Sequence, residues 1–232
     1  MRKRLIYMLG AFVFAHSWAM AADDWETWNN YSFKLPPIKK NLYLRGAFET
    51  RFRDDLDEFY RYQFEMGPDY KLFTWLTLGF YYRIIEEGDP GEFQTEHRFI
   101  QQVTPEFGLK DIGIDRYRLG PLKISLQNRL EWRIRHYKDH VQTWRYRFYP
   151  KVSYPVFKTE KLTISPYVGN AFYFDFTNNV AFNQNRLYNG LSFKMFNHVV
   201  LDLYYMRLAK RSGRGGDWDG SHVIGTGLGY VF

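Results

Sequence analysis

Cysteine is absent from the 232 residues, so neither a disulfide nor a thiolate-bound metal can hold the fold together. Long hydrophobic runs are also absent beyond the first twenty or so positions. No later segment approaches the ~18–20 continuous apolar residues of a spanning helix, which excludes a helical membrane protein built from the body of the chain. No internal repeat or second-domain boundary is visible. A strong excess of one charge is missing too: of the net +7, three charges belong to Arg2, Lys3 and Arg4. The remainder is mildly basic, and a nucleic-acid partner is not expected.

Aromatic residues, by contrast, make up 20% of the chain, with 21 Phe and 19 Tyr, yet mean hydropathy is −0.48. Apolar and polar groups are both abundant, so position along the chain must sort them. The start carries its own pattern: a basic beginning, an apolar stretch from Leu5 to Trp18, and the small-x-small exit Ala19-Met20-Ala21. Those are the parts of a secretory signal. Cleavage after Ala21 is expected, with residues 22–232 forming one exported domain.

In that domain the alternation has period two. Asn41 to Phe52 sets Leu42, Leu44, Phe48 and Phe52 against Arg45, Glu49 and Arg51. Glu58 to Met66 opposes Tyr60, Tyr62, Phe64 and Met66 to Arg61 and Glu65, and Trp75 to Ile84 places Arg83 opposite Leu76, Leu78, Phe80 and Tyr82. Leu122 to Arg135 is the clearest case, with Leu126, Leu130, Trp132 and Ile134 on one side and Arg129, Glu131, Arg133 and Arg135 on the other. A helix would smear both sets around its circumference, whereas a strand separates them. Thr143 to Tyr154 repeats the pattern with Arg145 and Arg147, and further strands read at Trp25 to Lys34, Phe93 to Thr104, Leu162 to Asp175, Gln184 to Lys194 and Val199 to Met206. Pro166 and Asn170 share the apolar parity of the Leu162 segment, where a bulge or edge irregularity is expected.

Segments of about 9 to 11 residues with one greasy and one charged face suit a transmembrane β-barrel of the bacterial outer membrane. Short turns read at Lys71 to Trp75, Phe157 to Lys161 and Met195 to His198. Outer loops read at Asp54 to Asp57, Glu86 to Glu92, Thr177 to Asn183 and Ala209 to Ser221. The last of these is basic and glycine-rich, a solvated linker or a lipopolysaccharide contact. The chain ends in an alternating strand with Leu228, Tyr230 and Phe232 on one parity, which resembles the signal read by the outer-membrane barrel assembly machinery. The fold expected is all-β, a single closed antiparallel barrel of about twelve strands, with Leu109 to Leu119 as the twelfth. Ten is the alternative, because two ends on the same side of a membrane need an even number.

With the greasy parity towards lipid, the lumen is expected to be lined by Arg45, Glu49, Arg51, Arg61, Glu65, Arg83, Glu96, Arg98, Arg129, Glu131, Arg133, Arg135, Arg145, Arg147 and Arg186. A charge facing lipid near the midplane would cost about 2–4 kcal/mol, which forces this assignment of faces. Arginines outnumber carboxylates, and two readings stand. Either the side chains interlock and plug the lumen, or the unpaired guanidinium groups form a narrow path for small anionic solutes. The pairs Glu49/Arg51, Glu96/Arg98 and Glu131/Arg133 sit two residues apart, about 6.5–7 Å along a strand, so their main partners are expected on neighbouring strands.

A third reading is an outer-membrane hydrolase acting on lipid or lipopolysaccharide through His136 and His140 beside Asp139. No serine lies near them in sequence, and His-x3-His lacks a third ligand, so neither a catalytic residue, a metal nor a cofactor is assigned. Trp25 to Trp28, Glu49-Thr50-Arg51, Glu96-His97-Arg98 and Arg129-Leu130-Glu131-Trp132-Arg133 occur in an order that resembles an uncharacterised family of exported bacterial proteins, known as a domain of unknown function (number 2490). The resemblance implies an outer-membrane barrel and supplies no substrate. Gly169-Asn170 departs from it, a carboxylate being expected there.

Overall fold

The computed structural model describes residues 24–89, 91–113, 121–136, 141–176, 181–211 and 217–232. Residues 1–23, where a signal segment is expected, and parts of five connections therefore lie outside the described residues. Alternating segments fold as strands because only a pleated backbone sends neighbours to opposite faces. They are β1 (Asp24–Lys34), β2 (Leu42–Arg53), β3 (Glu58–Phe73), β4 (Leu76–Glu87), β5 (Gln94–Gly108), β6 (Lys123–Arg135), β7 (Val141–Ser153), β8 (Phe157–Lys158), β9 (Leu162–Asp175), β10 (Ala181–Met195), β11 (Val199–Arg211) and β12 (Trp218–Val231).

All twelve belong to one sheet. Successive strands pair antiparallel, except that β7 passes over β8 to meet β9, and β12 pairs with β1 to close the ring. Eleven strands form the barrel, while β8 pairs with β9 alone, outside it. The sheet thus has the expected number of strands, but the twelfth is found within the Phe157 to Lys161 segment read as a turn. Leu109–Ile112 is a 3-10 turn instead, and residues 114–120 lie outside the described set.

An odd ring cannot be antiparallel throughout. Its one parallel seam joins β1 to β12, in a register running from Asp24 opposite Ser221 to Lys34 opposite Val231. Both strands therefore start at one rim, here the Asp24 rim, and finish at the other, the Phe232 rim. The even count expected from sequence assumed that the two ends of the chain meet at one rim, and the parallel seam removes that assumption. Along the seam Thr226 Oγ1 donates to Asn29 Oδ1 at 2.7 Å, and the amide of Phe232 donates to the carbonyl of Lys34 at 3.0 Å.

Outward faces carry the aromatic residues. Tyr62, Phe64, Phe80, Tyr82, Phe99 and Trp144 are all exposed, and they form stacks around the outside such as Phe99 with Trp132 and Trp132 with Trp144. Leu228, Tyr230 and Phe232 share this face, with Phe232 edge-on to Tyr230 at 4.6 Å.

Inward faces are packed by a different device nearer the Phe232 rim, where tyrosine rings lie over glycines. A Cβ on Gly169 would sit 2.6 Å from the Tyr149 ring, and one on Gly190 would sit 2.5 Å from Tyr167. The missing side chain is what admits the ring, which also accounts for glycine at the position where the family resemblance implies a carboxylate. The irregularity expected in the Leu162 segment falls on its partner, where β10 shifts register between Phe182 and Gln184.

The seam can be tested chemically. Because the chain has no cysteine, replacing Asn29 and Thr226 by cysteine should give one crosslink, within the folded monomer and with high yield on mild oxidation. Read on non-reducing gels, a failure of this pair alongside success of an Asn29→Cys, Thr50→Cys pair across the β1–β2 register would contradict the parallel closure.

Candidate functional site

Three buried carboxylates organise the barrel interior, and each takes several guanidinium groups. Glu65 on β3 accepts from Arg45 on β2 at 3.0 Å, from Arg83 on β4, and from Arg129 at 3.1 Å. Arg129 lies on β6, so its side chain reaches across β4 and β5 to make that contact. Glu96 on β5 accepts from Arg98 at 2.5 Å, Arg133 at 2.7 Å and Arg135 at 3.2 Å. Glu131 on β6, 1% exposed, accepts from Arg98 at 3.1 Å and Arg145 at 2.7 Å.

A second set lies towards β1 and the seam. Glu49 accepts from Arg51 at 2.6 Å and from Gln63 at 3.1 Å. Arg61 donates to Glu87 at 2.8 Å and to Gln63 at 2.7 Å. Register explains why these groups meet: Arg83 faces Arg98, Arg98 faces Arg133, and Glu131 faces Arg145. Arg98 and Arg133, opposite each other in the ladder, are bridged by Glu96 one level away, while Arg83 turns to Glu65.

The expectation that partners lie on neighbouring strands needs correction for two of the three pairs. Glu49–Arg51 and Glu96–Arg98 bond directly within their own strands, because an arginine side chain is long enough to fold back along the backbone. For the third, the partners of Glu131 are on β5 and β7, and Arg133 turns instead to Glu96 and, at 3.4 Å, to Asp175.

Arg147 and Arg186 differ from the rest, since neither has a carboxylate within ion-pair distance among the described residues. Arg147 donates to the Gln127 side chain. Arg186 lies over the rings of Trp28 at 4.6 Å and Tyr173 at 4.7 Å. Arg51 covers Trp28 at 3.5 Å, and the indole donates to Glu26 at 2.8 Å. Contacts of this kind contribute about 0.5–2 kcal/mol each, depending on desolvation.

Several interior groups were not assigned by sequence. Glu87 and Asp175 add two carboxylates, Trp28 and Tyr173 supply aromatic platforms, and Trp28, Met206, Leu208 and Val223 make a buried apolar cluster on the seam side. Of the histidine candidates, His136 packs edge-on to the outward-facing His97 at 4.8 Å, and His97 Nδ1 is 2.5 Å from the Tyr82 hydroxyl. Asp139 and His140 lie outside the described residues, and no three metal-ligating groups converge among those described.

Between the arginines a cavity of about 290 Å³ remains, lined by eight of them with Lys210, Glu49, Glu87 and Glu131. Glu87 and Lys210, which line it, stand at the Asp24 rim, where the Glu87 side chain is 48% exposed. On its far side lie Glu131 and the Arg129–Glu65 contact.

Removing one carboxylate should therefore unbalance several cations. Glu131→Gln is expected to lower stability by about 3–5 kcal/mol, as breaking a buried pair does, measured by denaturant unfolding of the refolded protein. A midpoint equal to that of the unaltered chain would contradict the network.

No curated protein and no solved structure matches the chain. Residues 25–218, spanning β1 to the start of β12, match the model of a family described as a protein of unknown function, DUF2490. The chain belongs to that family.

Proposed function

We propose that this protein resides in the bacterial outer membrane as a β-barrel closed to bulk flow by its own arginine–carboxylate network. The carrying observation is the lumen itself: Glu131 is 1% exposed and shared by two guanidinium groups, while Arg129 extends over two strands to Glu65. A water-filled channel would leave such groups hydrated.

The location is supported from the other face. Strands of 11 to 16 residues border the seam and the β3 wall, enough for the ~9–11 residues of a crossing. A soluble barrel would have to expose Phe64, Phe80, Phe99 and Trp144 to water, whereas continuous apolar surface of this kind is expected against lipid. With the assembly signal Leu228, Tyr230 and Phe232 on the periplasmic side, the Asp24 rim and the cavity mouth face outwards. Lipid and lipopolysaccharide are then the surrounding partners, and the barrel assembly machinery is the inserting one.

The second reading, a narrow anion-preferring channel, is favoured by Arg147 and Arg186, whose charges no described carboxylate neutralises. Conductance separates the two. Refolded protein in a planar bilayer is expected to give no sustained steps at moderate voltage, and the protein from cells should sediment with outer membranes. Steady anion-selective steps would replace the closed reading by the channel, and recovery as a soluble periplasmic protein would overturn both.

A further inference from the structure

Among the described residues, cations outnumber carboxylates around the cavity. Around the cavity, eight arginines and Lys210 face Glu49, Glu87 and Glu131. Glu65, Glu96 and Asp175 neutralise some of the same arginines from behind, and Glu26, buried beside Trp28, opposes Lys210 and Arg51. Even with these counted, Arg147 and Arg186 have no carboxylate partner among the described residues. Taking a cation out of water is costly unless an opposite charge meets it, and two such cations on one cavity raise the cost.

Two nitrogens make the deficit local. Nε of Arg61 and Nε of Arg147 are buried with no hydrogen-bond partner among the described residues. Both residues line the cavity, and the Arg61 side chain is 9% exposed. A buried donor without an acceptor is destabilising, more so when it is charged. An anion in the cavity would supply the opposite charge that the Arg147 and Arg186 guanidinium groups lack.

We propose that the cavity is a binding site for a small multivalent oxyanion of the phosphate class, admitted from the Asp24 rim. Its volume of about 290 Å³ corresponds to roughly ten water molecules at ~30 Å³ each, room for phosphate or diphosphate with part of its hydration. The donors come from β3, β7 and β10 around a central space. Several guanidinium forks converging from different directions suit a tetrahedral anion, which offers acceptors on every side. Arg186 is held over Trp28 and Tyr173, so its position is fixed before any anion arrives. The wall is a closed hydrogen-bonded sheet, so the anion is a free solute and not a lipid headgroup entering sideways.

The inference deepens the reading of the lumen as closed beneath the cavity, and its test is independent of conductance. Detergent-refolded protein is titrated with inorganic phosphate at constant ionic strength by calorimetry, with thermal unfolding in parallel. Saturable binding and a rising melting temperature are expected, neither being reproduced by chloride. Arg147→Gln and Arg186→Gln should each weaken binding about ten- to a hundred-fold, the range for losing one charge-assisted hydrogen bond. Should either glutamine variant fail to refold, Arg186→Lys keeps the charge and should weaken binding while preserving the heat-shifted gel mobility of the folded barrel. Absence of saturable binding, equal binding in the Gln variants, or binding of lipopolysaccharide that phosphate does not compete would each overturn the proposal.

Discussion

A closed sheet has a single interior, and every strand must send alternate residues into it. That constraint links the sequence to the rest of this molecule. The same two-residue step that turns Phe64 and Phe80 outward turns Glu65 and Tyr81 inward, and a shift of one residue in any strand would exchange the two populations. Aromatic surface outside and guanidinium inside are therefore one fact seen from two faces. In the membrane setting proposed for the barrel its enforcement is energetic on both sides, since charge against lipid and grease against water are each costly.

Inside, stability depends on sharing. Glu65, Glu96 and Glu131 each serve more than one arginine, so the interior is a connected web and not a set of independent bridges. Such webs are unforgiving, because in a low-dielectric interior an ion that loses its partner costs more than the pair contributed. The web also stitches non-neighbouring strands together, as Arg129 does in reaching Glu65 from three strands away. Beyond it, tyrosines laid over glycines fill the lumen with neutral groups. The molecule thus passes from a charged cavity at the Asp24 rim to an aromatic packing towards the Phe232 rim.

The faces are legible in the sequence over most segments where they differ in polarity; Tyr60 is an exception, since an irregularity in the β2–β3 ladder turns it inward to Glu26 although the alternation groups it with the outward Tyr62 and Phe64. Leu122 to Arg135 alternates with the single exception of Asn128 on the apolar parity, and the structure turns Arg129, Glu131 and Arg133 inward and buries them. Where both faces are apolar the reading had nothing to work with. On β11, Leu201, Leu203 and Tyr205 alternate with Tyr204, Met206 and Leu208, and the interior cluster around Trp28 went unseen. Ile85 interrupts the polar parity of β4, so the alternation places Glu87 in a loop, whereas the strand continues through it. Neighbour relations were beyond reach for another reason: alternation fixes which way a side chain points but not which strand lies beside it. The parallel seam, the odd ring and the separate β8 all belong to that second kind of information. In-strand bonding at Glu49–Arg51 and Glu96–Arg98 was missed because backbone spacing was taken as the contact distance, while the length of the arginine side chain sets it.

Tryptophan fluorescence tests the sorting of faces most directly. Of the seven tryptophans, Trp144 is 44% exposed on the outer face and Trp28 is 2% exposed within. Single-tryptophan variants retaining one or the other, refolded into bilayers with brominated acyl chains, should show strong quenching of Trp144 and little of Trp28. Equal quenching of the two, or quenching of Trp28 alone, would place the guanidinium-bearing face against lipid and contradict the account.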